Sequence, residues 1–124
     1  MPTGLDWFSR LSLAIAGILG AAGVGAAASA SHAGDDRVLG ALALVALTQA
    51  PALVALALLA GRWWLIRAAA SLIGLGALMF CGDLASRHFG DGSALIPMLA
   101  PAGGIVLIGG WLLLVPAALV SRRE

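Results

Sequence analysis

Residues 38–60 read VLGALALVALTQAPALVALALLA, with no charged side chain between Arg37 and Arg62. A helix needs roughly 17–25 predominantly apolar residues to cross a hydrocarbon core about 30 Å thick, and this run is long enough. Working outward in both directions, three further stretches of the same kind appear at 11–30, 68–86 and 94–120. The charged residues fall in short clusters between the stretches, and only Asp83 lies inside one. The pattern predicts an all-α integral membrane protein, a four-helix bundle filling a single membrane domain over 1–124.

Composition agrees with that reading. Apolar residues make up 61% of the chain and charged residues 10%, against about 25% charged in a soluble domain. Four spans use most of the 124 residues, which leaves no room for an extramembrane catalytic domain of about 50 residues or more. Seven arginines, no lysine and a net charge of +1 form no basic patch suited to nucleic acid. The single cysteine, Cys81, has no partner for an internal disulfide and reads as a small buried thiol. Arg10, the apolar run after it and the small residues 28–33 have some features of a secretory signal. Asp6 spoils the basic leader and the run exceeds an h-region of about 7–15 residues, so an uncleaved first span is expected.

Arginine placement predicts orientation. With four spans both termini share a side, which holds Arg10, Arg62, Arg67, Arg122 and Arg123, while Arg37 and Arg87 lie opposite. Both termini are therefore expected on the cytoplasmic side, in a multi-pass protein of a bacterial inner membrane. Trp7, Trp63 and Trp64 lie on that same side, where indole rings favour the interface and anchor the depth of a bundle.

Small residues recur within the spans. Gly17, Ala21 and Gly25 share one helical face, as do Gly74 and Gly82 in part, with Ser71, Cys81 and Ala85 nearby. Such spacing lets helix backbones approach closely in lipid, which supplies no hydrophobic drive for association. Tight packing of the first and third spans is the expectation. The stretch 94–120 is too long for an untilted crossing and contains Pro97, Pro101 and Pro116. Proline suits a first helical turn and breaks the ladder deeper in. Residues 93–100 are accordingly read as an interfacial lead-in and 101–120 as the span, bent at Pro116.

Two polar features lie inside the bilayer. Gln49 is the midpoint of 38–60, Thr48 precedes it, and Pro51 deprives the Leu47 carbonyl of its usual donor. Unsatisfied polar groups cost several kcal/mol in hydrocarbon, so these groups need partners on neighbouring helices. Interhelical hydrogen bonding is the favoured role, and a solute or proton path the alternative. Asp83 stands four residues before Arg87, a spacing at which acid and base share a helical face, and reads as a paired carboxylate near the outer interface. A proton relay is its alternative. Outside the spans, His32, Asp35, Asp36, His88 and Asp91 are metal-compatible types without a recognised ligand spacing, and a solvated loop face is favoured over a site at His32 and His88. No cofactor is expected.

Several short segments resemble a family. Residues 20–34, GAAGVGAAASASHAG, are similar to the glycine- and alanine-rich first span ending in Ala-His-Ala of small YgdD-like membrane proteins, a domain-of-unknown-function family with a small mitochondrial relative. Residues 79–84, MFCGDL, are similar to its Leu-Phe-Ser-Gly-Ser-Leu, and residues 99–112 to its Pro-Ile-Gly-Gly and Gly-Trp-Leu-Leu signature. The family's Tyr-Gln-Met-Tyr-His run is represented here only by Gln49, with Ala50, Pro51 and Ala52 beside it, and Asp83 replaces a serine. The resemblance implies a four-helix fold and no known activity. No nucleophile, base and orienting group are spaced to act together, so an enzyme is not expected. The expected role is an accessory or scaffolding subunit that packs against a larger membrane complex or itself, among lipids. A small transporter or proton pathway using Gln49 and Asp83 is the alternative, and outer-face metal binding a second.

Overall fold

The computed structural model describes residues 6–33, 37–60, 63–90 and 98–121. These form four helices, α1 (Trp7–Ala33), α2 (Arg37–Leu59), α3 (Trp64–Phe89) and α4 (Leu99–Ser121), with no strand among them. Each is long and apolar enough to cross a membrane. Among the described residues the protein is an all-α arrangement of these four helices, as a multi-pass membrane protein would be.

Helices α1 and α3 extend beyond the apolar runs 11–30 and 68–86 at both ends, and each has one hydrogen-bonded terminus. Asp6 accepts from the Ser9 backbone N–H at 3.0 Å, the geometry of an N-cap residue supplying an acceptor to the first turn, so α1 starts four residues before the run at 11. Helix α3 ends where the Gly90 N–H bonds the Ser86 carbonyl at 2.9 Å. The lead-in expected over 93–100 needs correction at its end, since Leu99 and Ala100 are already helical, while 93–97 lie outside the described residues. Met98 adopts φ 67 and its carbonyl accepts from the Ala102 N–H at 2.9 Å. Pro101 thus falls in the first turn, where an N–H has no intrahelical acceptor to lose.

Neighbouring helices run antiparallel, each folding back on the one before. Ser9 at the start of α1 donates its hydroxyl to the Ala57 carbonyl near the end of α2 at 2.9 Å. Gly74 of α3 meets Leu53 of α2, and the Cys81 thiol lies 3.9 Å from the Leu42 carbonyl. The core is built largely from alanine and leucine, with Ala16, Leu19, Ala46, Leu53, Ile73 and Ala77 all buried.

Helix α4 rests on α3 alone. Among the described residues no α-carbon of α1 or α2 lies within 8 Å of one in α4. The buried positions of α4 are Ala100, Gly103, Leu107, Gly110 and Ala117, a narrow seam repeating at about 3.5 residues as in a two-helix crossing. Ile105, Ile108, Leu112, Val115 and Leu119 on its other sides are exposed, as apolar residues facing lipid should be.

The tightest packing is not on the stripe expected from sequence. Gly17 and Ala21 are exposed, and added Cβ atoms at Gly17 and Gly25 would meet open space, as would one at Gly82. Gly74 does pack, at an ordinary 3.7 Å from Leu53. The close approaches are instead at Gly76 against Gly103, at Gly110 against Ile73, and at Gly23 against Leu47. Helices α1 and α3 touch less than either does α2, and Leu39, Leu42 and Leu53 of α2 line grooves between them.

Candidate functional site

The intramembrane polar groups assemble at two places. The first is at the middle of α2, where the Trp111 indole N–H of α4 donates to Gln49 Oε1 at 2.8 Å. An indole nitrogen can only donate, so this bond fixes which end of the amide is oxygen. The amide nitrogen then faces Thr48 and donates to its Oγ1 at 3.1 Å. The Thr48 hydroxyl donates in turn to the Leu44 carbonyl at 2.8 Å, one turn back, as threonines in spanning helices commonly do. The only polar link between α2 and α4 among the described residues is therefore made by long side chains across a gap. Thr48 and Trp111 are exposed and Gln49 is partly buried.

The second place is at the end of α3 away from the termini. The Arg87 Nε donates to Asp83 Oδ2 at 3.0 Å. Asp83 is wholly buried while the Arg87 side chain is 34% exposed, so the guanidinium reaches outward and the carboxylate does not. The Ser86 hydroxyl donates to the Asp83 carbonyl at 2.8 Å. The spacing to Arg87 was readable in sequence. The depth of the carboxylate among the helices was not, because it depends on which face of α3 turns inward.

A third cluster, where α1 and α3 begin and α2 ends, had no sequence signal beyond Asp6 and Arg67 themselves. Arg67 Nη1 donates to Asp6 Oδ2 at 3.0 Å, and its guanidinium stacks over the Phe8 ring, 4.5 Å from the centroid, a favourable cation–π geometry. The Ser9 hydroxyl lies against the same carboxylate, but its one proton is directed to Ala57. The Ser9 N–H and the Arg67 guanidinium are then the donors that hold the Asp6 carboxyl below its usual value. A depressed carboxyl stabilises the fold above its unfolded-state value and loses that contribution as pH falls through the folded one. The thermal stability of the wild type in detergent should accordingly exceed that of Asp6→Asn at neutral pH, and the difference should vanish below the ordinary carboxylate range. The pair is exposed, so the gap at neutral pH should be small.

Two apolar grooves lie between α1 and α3. One, of about 210 Å³, is bordered by Phe8, Leu11, Ile15, Ser71, Gly74 and Leu78 over Leu53. The other, of about 340 Å³, is bordered by Ala22, Gly25, Ser29, Ala85, His88 and Phe89 over Leu39 and Leu42. Neither is lined by Gln49 or Asp83. The alternative reading, a solute path through those two residues, thus finds no shared cavity in these grooves.

The remaining residues singled out from sequence are dispersed. Trp7 and Trp64 are largely exposed, 70% and 74%, and Trp63, next to Trp64 in the chain, is half-buried. His32 is exposed, and His88 packs edge-on against Phe89 with ring centroids 4.9 Å apart. Among the described residues no three His, Cys, Asp or Glu side chains are grouped as metal ligands, and Asp35, Asp36 and Asp91 lie outside those residues. Comparison with protein-family models, with curated proteins and with solved structures found no match.

Proposed function

We propose that this chain is a small accessory or scaffolding subunit of a bacterial inner membrane, packing its helix faces against a larger membrane complex or against itself. The observation that carries this reading is the outward stripe of α1. Gly17, Ala21 and Gly25 are exposed, with open space where Cβ atoms at the two glycines would sit. Small residues lower the barrier to close helix approach in lipid, and this stripe is not used for that purpose within the chain. The resemblance to YgdD-like proteins supports the same reading, since it implies a helical membrane fold without an activity. Both termini face the cytoplasm in this proposal, supported by five arginines on the terminal side against two opposite.

Gentle detergent extraction from the native membrane followed by native mass measurement tests it. The expected result is a species heavier than one 12.4 kDa chain with its detergent. A monodisperse monomer with nothing co-purifying would overturn the reading.

A further inference from the structure

The polar groups at the middle of α2 are incompletely used. Gln49 accepts from Trp111 and donates one amide proton to Thr48. An amide nitrogen carries two protons, and the second has no acceptor among the described residues. Pro51 lies inside α2, and without an N–H it cannot serve the Leu47 carbonyl four residues back. One spare donor and one carbonyl deprived of its helical donor therefore lie within a turn of each other at the centre of a spanning helix. Gln49 itself faces α4, but its amide nitrogen reaches across to Thr48, and the face of α2 marked by Thr48, Pro51 and Ala55 is exposed.

We infer that this face of α2 is a homodimer contact, with Gln49 of each copy donating its second amide proton to the Leu47 carbonyl of the other. Three observations select a second copy as the occupant. Lipid tails can neither donate nor accept, and a polar group left facing them at the bilayer centre costs several kcal/mol. The patch is uncharged and offers one donor and one acceptor. A twofold axis presents the same patch on both subunits, so each donor meets an acceptor and both bonds form together. Depth also matches. A helical side chain leans toward the N-terminus, whereas a carbonyl points toward the C-terminus, which brings the Gln49 amide and the Leu47 oxygen to a similar level. Parallel copies in one membrane can then pair them without sliding. Small Ala55, seven residues after Thr48, lets the two α2 helices close on the same side.

This inference rests on the association reading above and names its partner. Its test uses the full chain labelled at the N-terminus with donor and acceptor dyes, reconstituted in phosphatidylcholine vesicles over a range of protein-to-lipid ratios. Wild type should show concentration-dependent energy transfer, and Gln49→Leu should raise the dimer dissociation constant about tenfold, the loss of two reciprocal interhelical bonds. Trp111→Phe removes the internal bond to Gln49 but leaves the spare donor, so it should dimerise like the wild type. If Gln49 serves only to fasten α4, the two variants will weaken dimerisation equally, and the inference fails. It also fails if Gln49→Leu dimerises unchanged or if wild type stays monomeric in these vesicles. A monomer that still co-purifies with another chain from native membranes would remove this contact and leave the accessory-subunit reading standing.

Discussion

Gly76→Val should destabilise the protein by about 3 kcal/mol, near the upper end of the range for overpacking. An added Cβ at Gly76 would stand 2.8 Å from the Gly103 carbonyl oxygen and 2.8 Å from the Leu107 nitrogen. Both are backbone atoms of α4, so no rotamer change relieves the clash and the two helices must separate. Because among the described residues α4 packs on α3 alone, separation there removes its backbone support from them and leaves the Trp111 to Gln49 bond. Gly103→Val meets the same obstacle from the other side, 2.8 Å from the Gly76 oxygen, and the two substitutions should not be additive because they disrupt one contact. Gly17→Ala provides the contrast. It enters open space and gains helix propensity, up to about 1 kcal/mol, so it should be neutral or stabilising. Unfolding by sodium dodecyl sulfate in mixed micelles, followed by circular dichroism, measures all of these. Equal effects of Gly76→Val and Gly17→Ala would mean that the crossing is not where α4 is held.

Arg87→Ala should cost about 3 kcal/mol in the same assay, the lower end for removing one member of a buried ion pair. The asymmetry of the pair sets the expectation. Asp83 is wholly enclosed and Arg87 is not, so truncating the arginine withdraws compensating charge from a carboxylate that cannot turn to water. Asp83→Leu leaves a guanidinium that can still reach outward along its flexible stem and should cost less. Combining Arg87→Ala with Asp83→Leu should bring stability back toward wild type, since apolar groups often replace a buried pair at little cost. A double variant as unstable as the sum of its parts would show that the two side chains act independently.

Much of the fold was legible in residues 38–60 and their three counterparts, because the length of an apolar run is matched to a bilayer and lipid permits few backbone conformations. The polar sites were partly legible. Gln49, Thr48 and Pro51 were marked by being rare in their surroundings, and Asp83 with Arg87 by helical spacing. Their partners were not: Trp111 lies 62 residues from Gln49, and nothing in its neighbourhood distinguishes a hydrogen-bonding indole from one facing lipid. Arg67 and Asp6, 61 residues apart, were likewise joined only by folding.

What the sequence by itself determined is the number of helices, their approximate limits and the positions of polar groups along each. Which faces meet was decided only in the tertiary structure. In water an apolar stripe against a polar one declares the inward face of a helix, whereas in these spans both faces are apolar and that signal is absent. Gly17, Ala21 and Gly25 therefore looked as suited to tight packing as Gly76, Gly103 and Gly110. The choice rested on local complementarity, since Gly103 and Gly110 flank Leu107 on a seam that Gly76 and Ile73 can receive. Van der Waals fit between helices, which has no counterpart in the composition of either one alone, settled where the backbones touch and which small residues remain facing outward.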